Sequence, residues 1–218
     1  MRKSQKLKKH RLPHLTREDV ENPLFTLVEL CYSETDLHHL RNDTLQFIRS
    51  TACQNTGFDE EDYGAMFFFY LRFLKHIELL YVLMHRYPDW SASTDSPFYR
   101  LEITGYSYTI VDDDFKGSTK LEFWKLGKEE VLDVSVFMQR FFKFRTLRQW
   151  QTTLDDLVQT VFSRETFSEY DNDAFQVYEY LEKLAEALFL AYEIHGKEYM
   201  LMHCADRFGI NKKKLVDR

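Results

Sequence analysis

Hydrophobic and polar positions along the chain follow two rhythms, and the change from one to the other divides the sequence. PLFTLVELCYSETDLHHLRNDTLQFIRSTAC, from Pro23, places Leu37, Leu40, Leu45 and Ile48 at near-helical spacing and predicts one long helix broken near Ser33. Pro23 suits a first helical turn, and Asn22 is the expected N-cap. Gly57 is expected to stop this helix, and Asp59, Glu60, Glu61 and Asp62 favour the start of the next through the helix dipole. Four contiguous carboxylates radiate around a helix axis, so capping accounts for them better than metal binding.

The second helix, Asp59 to about Arg86, is the most apolar segment. At about 100° per residue, Arg72, Lys75, His76 and Glu78 share one arc, with Phe69, Leu80, Tyr81 and Leu83 around the rest. Such a broad apolar surface requires several neighbours and predicts a central bundle helix or a subunit contact. Lys75 and Glu78 are spaced to pair, which leaves His76 as a surface histidine and not a ligand.

After Pro88 and the turn-rich PDWSASTDSP, the period falls to two. Tyr106, Tyr108 and Ile110 oppose Ser107 and Thr109; Leu121 and Phe123 oppose Lys120, Glu122 and Trp124. With an Asp/Gly turn between them, these runs predict an antiparallel hairpin. Asp112, Asp113 and Asp114 have the chemistry for a hard cation, but no glutamate follows at calcium-loop spacing, so a soluble loop tip is expected. Helices resume near Lys128 and run to Phe162, with a break near Thr146. Asp171 or Asp173 then caps a helix whose stripe is Val177, Leu181, Leu184, Leu188, Ala191 and Tyr192; Gly196 loosens or ends it. The expected fold is mainly α: a bundle of about five to seven helices with a β-hairpin inserted at about 100–126. The expected organisation is a basic flexible tail over 1–15, the bundle over 16–196, and a helix-turn-helix-like segment over 197–218.

Composition supports a folded soluble chain, 44% hydrophobic and 29% charged, and the scarcity of Gly (7) and Pro (4) favours long helices over a many-stranded sandwich. The net charge of −6 is uneven. MRKSQKLKKHRLPH carries Arg2, Lys3, Lys6, Lys8, Lys9 and Arg11 without an acid, a run that suits a solvated tail and can also reach phosphates or an acidic partner. No apolar region follows it, so no secretory signal is expected, and the charges inside Ala65–Met84 argue against a membrane span. Cys31, Cys53 and Cys204 lack paired metal spacing and read as reduced thiols of a cytoplasmic protein.

Catalytic constellations are missing. The sequence holds no Gly-rich phosphate loop, Gly-x-Ser-x-Gly elbow, His-Glu-x-x-His or Cys-x-x-Cys. The adjacent pairs His38–His39 and His203–Cys204 point apart on a helix and make poor metal sites. The Arg-(four to six residues)-His signature of HEPN-type nucleases is absent too, Arg72 to His76 being one residue short. Neither catalysis, cofactor nor metal is therefore expected. QRFFKFRTLRQW interleaves Arg140, Lys143, Arg145 and Arg148 with Phe141, Phe142, Phe144 and Trp150. That mixture can serve single-stranded nucleic acid, though helical angles split the cations between two sides and favour an amphipathic helix with snorkelling chains.

The closing YMLMHCADRFGINKKKLVDR carries Ala205, Gly209, Ile210 and Leu215 at helix-turn-helix spacing. On that reading Arg207, Asn211, Lys212, Lys213 and Lys214 contact DNA, the lysines on phosphates and Asn211 on a base edge. The competing reading is a Schellman stop, with Gly209 in the left-handed conformation and Ile210 folding back on Ala205.

FFFYLRFLKHIELLYVL, from Phe67, followed by FSEYDNDAFQVYEYLEKLAEALFLAYE, from Phe167, resembles the helical part of RteC-type regulators of mobile elements. In that family a Phe-rich helix precedes a Phe-Ser-x-x-Asp stretch leading into a long helix. The resemblance spans about 67 to 193 and rests on composition and order. It implies a helical transcriptional regulator with a C-terminal winged-helix module. Asn211–Arg218 is too short for a wing, so at most a two-turn recognition helix is expected. The function expected is regulatory and non-enzymatic, through DNA; the alternative is a protein-interaction or assembly module acting on a protein partner or as a homodimer.

Overall fold

A computed structural model describes residues 7, 11–52, 63–87, 89–93, 96, 99–104, 107–112, 119–163, 165–169 and 171–209. Five helices of 11 or more residues are seen among them: α3 (Leu37–Ala52), α4 (Tyr63–Arg86), α6 (Val134–Phe144), α7 (Leu147–Ser163) and α8 (Ala174–Ala191). Shorter helices are α1 (Arg17–Glu21), α2 (Pro23–Val28), α5 (Lys128–Leu132) and α9 (Lys197–Tyr199). The mainly α expectation holds.

α4 is the hub, packed against α1, α2, α3, α6, α7 and α8. Its buried residues Met66, Phe73, Leu74, Ile77, Leu80 and Leu83 meet the apolar faces of those helices. α7 runs antiparallel to α4, because Tyr70 reaches Asp155 while Glu78 reaches Gln151. α8 runs antiparallel to α3, as the pairs Arg41–Glu186 and Thr51–Tyr178 require.

The break expected near Ser33 is present: π-type turns over Glu29–Glu34 separate α2 from α3. Pro23 opens α2, but Asn22 makes no side-chain cap bond; its carbonyl accepts from Phe25 and Thr26. α1 escaped the sequence reading, although Thr16 and Asp19 form a reciprocal capping box there. Leu12 and Leu15 are buried, so the packed chain begins before the boundary expected at 16. The break near Thr146 is also seen, and a second one at Asp133 divides α5 from α6, where the Asp133 carboxylate caps the Ser135 amide.

The inserted hairpin belongs to a three-stranded antiparallel sheet in the order β1 (Arg100–Thr104), β2 (Ser107–Asp112), β3 (Thr119–Phe123). Ile110 faces Leu121 in register, and Tyr108 faces Phe123; Ile110 and Phe123 are buried. Trp124, just beyond β3, is exposed as its alternation predicts. The Gly57 stop, the acids at 59–62, Tyr106, and the loop acids Asp113 and Asp114 lie outside the described residues.

α8 does not end at Gly196. It continues through π-type turns at Tyr192–Gly196, α9, and further π-type turns at Met200–Cys204. Gly196 fits because a Cβ there would come within 2.7 Å of the Tyr192 ring, so the wide turn is closed only by a residue without a side chain.

His76 overturns the surface expectation. The arc holding Arg72, Lys75, His76 and Glu78 is covered by neighbouring helices, and both His76 and Glu78 are buried. Among the described residues, Glu78 pairs with no lysine. It accepts from the His14 backbone amide (3.0 Å), His14 Nδ1 (2.7 Å) and Gln151 Nε2 (2.8 Å), which pins the amino-terminal segment and α7 to α4. His76 Nε2 has no hydrogen-bond partner among the described residues.

Candidate basic and aromatic binding cleft

A cleft of about 780 Å³ opens where the amino-terminal segment crosses α4 and the α6–α7 corner. Arg11, Tyr81, Phe142, Thr146, Leu147, Arg148 and Gln151 line it. Each is placed by local chemistry. Glu78 fixes His14, and Gln151 Nε2 also donates to the Arg11 carbonyl (3.3 Å), so Arg11 is held at the edge. Because the Glu78 carboxylate only accepts, Gln151 must turn its amide nitrogen toward it, which fixes the amide orientation.

The corner is built by Thr146 and Gln149. Thr146 Oγ1 accepts from the Gln149 amide (3.4 Å) while Gln149 Oε1 accepts from the Thr146 amide (2.8 Å), a capping box that starts α7 and sets Leu147 and Arg148 on its first turn. Trp150 buries its indole against Phe141, rings stacked 4.2 Å apart, and donates to the Phe141 carbonyl. That contact closes the angle between α6 and α7. The aromatic wall is Tyr81 and Phe142, edge to face at 5.2 Å, with His85 over Tyr81 at 4.2 Å.

Electrostatically the cleft is basic. Most described arginines are engaged: Arg17 with Glu21, Arg41 with Glu186, Arg72 with Asp43, Arg86 with the Val20 carbonyl, Arg100 with Glu102, Arg140 with Glu129, Arg145 with Asp171, and Arg207 with Glu29. Among the described residues, the guanidinium groups of Arg11, Arg49 and Arg148 have no such partner, and two of these three line one cleft. The lining, among the described residues, includes no carboxylate.

QRFFKFRTLRQW is thus sorted by the fold. Arg140 and Arg145 are spent on acids, and Phe141 and Trp150 on the core. Phe142 and Arg148 are delivered to the cleft. The sequence signal was the interleaving itself; the contributions of Arg11 and Tyr81, from other segments, could not be read from it.

The residues expected to touch DNA are only partly described. Arg207 lies 4.2 Å over the Phe25 ring and 3.0 Å from Glu29, so its charge is turned toward the protein's own α2 region. Ala205 is buried, and Gly209 has φ +68°, the left-handed conformation expected of the Schellman stop. Asn211, Lys212, Lys213, Lys214 and Leu215 lie outside the described residues.

Among the described residues no group of three or more His, Cys, Asp or Glu side chains could hold a metal ion, and no helix is long and apolar enough to cross a membrane. A second pocket, about 320 Å³, lies between α3, the end of β3 and α8, with exposed Trp124 and Leu45 beside Arg41 and Glu182. The chain matches no known family model, no curated protein and no solved structure.

Proposed function

We propose that the protein is a non-enzymatic regulator that binds nucleic acid through the basic and aromatic cleft. The carrying observation is the convergence of two uncommitted arginines on a cleft walled by Tyr81 and Phe142. Guanidinium groups grip phosphate in fork geometry, and aromatic rings accept bases. In sequence, the amino-terminal run of Arg2, Lys3, Lys6, Lys8 and Lys9 leads to Arg11, and its positive charge favours a polyanionic partner despite the net charge of −6. The RteC-like order of helical segments supports a regulatory role. Asn211 and Lys212–Lys214 carry the DNA-specific form of the reading.

Charge reversal separates these surfaces. In electrophoretic retardation with labelled nucleic acid, Arg11→Glu/Arg148→Glu weakens binding and lowers the slope of log affinity against log salt by about 1 per lost phosphate contact. Reversing Lys212, Lys213 and Lys214 does the same if the closing segment is the contact. Absence of any retardation at low salt removes the proposal.

A second reading, self-association, is favoured by one observation. Phe67, Phe68 and Leu71 on the first turns of α4 are 51%, 60% and 40% exposed, an apolar surface that a monomer has little reason to display. Light scattering is expected to give a dimer mass that Phe68→Glu reduces to the monomer. A monomer at all concentrations excludes it.

A further inference from the structure

We infer that the cleft takes a single, unpaired nucleic-acid strand, with duplex excluded from it; this rests on the nucleic-acid reading above. Duplex DNA is read by protruding elements, a helix or two-stranded ribbon that enters a major groove about 12 Å wide. Here the surface is re-entrant: the amino-terminal segment, α4 and the α6–α7 corner surround an open hollow of about 780 Å³, and Arg11 and Arg148 are among its lining. A paired helix presents stacked bases whose faces are already covered. An unpaired strand can instead splay a base into a hollow of this size, in the range of ordinary ligand pockets.

The wall chemistry agrees. Tyr81 and Phe142 are half-buried, held at 78° to each other, and each leaves ring surface on the cleft. Phe142 is fixed from behind by Phe141 at 5.1 Å, and Tyr81 by its own helix, so neither ring must be ordered on binding. Arg11, whose carbonyl accepts from Gln151, and Arg148, on the first turn of α7, come from different segments of the lining and can hold phosphates of one strand while a base lies on the rings. Thr146 Oγ1 adds a polar atom at the same corner.

The test is fluorescence anisotropy of the full chain with a labelled mixed-sequence oligonucleotide, alone and annealed to its complement, at matched low salt. The single strand is expected to bind at least tenfold more tightly than the duplex. Tyr81→Leu and Phe142→Leu, which remove the ring while keeping apolar volume, each cost the single strand about tenfold, within the range for one lost base stack. Melting curves establish that the variants fold. Should either variant unfold, Arg148→Glu, on an exposed side chain, must still weaken the single strand.

Three results overturn the inference. Equal or tighter duplex binding refutes the strand preference while leaving the nucleic-acid proposal standing. Single-strand affinity unchanged by the leucine variants moves the contact elsewhere. No binding to either form removes both proposals.

Discussion

Replacing Glu186 by alanine lowers the stability of the protein by about 3 kcal/mol or more, the scale for breaking a buried, multiply bonded charge. Glu186 is fully buried on α8, and its carboxylate accepts from the backbone amides of Trp124 (3.3 Å), Lys125 (3.0 Å) and Leu126 (3.1 Å) and from the Arg41 guanidinium (2.5 Å). Arg41 in turn donates to the Glu122 carbonyl. One side chain therefore joins α8 to α3 and to the end of the sheet. Without it three amides lose their acceptor and Arg41 its counter-charge. At roughly 2–4 °C per kcal/mol for a chain of this size, the melting midpoint falls by about 6–12 °C. Hydrogen exchange at residues 124–126 accelerates beyond the global change. Glu182→Ala is the control: its pair with Lys125 is partly solvated, and such pairs contribute about 1 kcal/mol or less. Equal, small losses from both variants would show that Glu186 is not the clamp.

Acid destabilises this protein through His76. Burial first, then the nearby charges of Arg72 and Lys75, pushes its pKa down from 6.5 to about 3. Between those values the unfolded chain binds a proton that the native state refuses, so stability rises with pH across this window and falls as pH drops below 6.5. The loss is about 1.4 kcal/mol per pH unit, roughly 3 kcal/mol by pH 4. His195, lowered mainly by burial and pulled partly back by Asp89, acts in the same direction. His76→Leu removes the orphaned nitrogen with little change in apolar packing. Its stability is expected to match or exceed the parent at pH 7, with one proton fewer in the acid slope. Carboxylates contribute to both proteins alike, so the difference between the two denaturation profiles is the quantity to measure. Parallel profiles from pH 7 to pH 4 would acquit His76.

The same histidine shows where sequence reasoning stops. Helical periodicity located the polar arc of α4 correctly, because angles around a helix depend only on numbering. Whether that arc met solvent depended on partners far away in sequence: His14 and Gln151 for Glu78, and Asp43 for Arg72. The long helices, the break near Thr146 and the β2–β3 pairing were legible because each repeats one pattern over many residues. α1, β1 and the division at Asp133 were not; α1, for example, buries the single residue Val20 and so shows no repeat. Glu186 did leave a trace, a lone acid within the apolar run LAEALFL, and a buried carboxylate without bonds would be too costly to keep. Its partners left none. The cleft is assembled in the same way, by residues from the amino-terminal segment, the carboxyl-terminal end of α4 and the α6–α7 corner.

The π-type turns at Tyr192–Gly196 have a geometric consequence for everything beyond them. A wide turn accommodates one residue more than an α turn, so the side chains that follow are out of phase with the stripe that α8 establishes. Met200, Leu201 and Ala205 are buried in this offset phase. Excising one residue from that turn would thus act less as a shortening than as a twist of the remaining helix, carrying Arg207 away from Glu29.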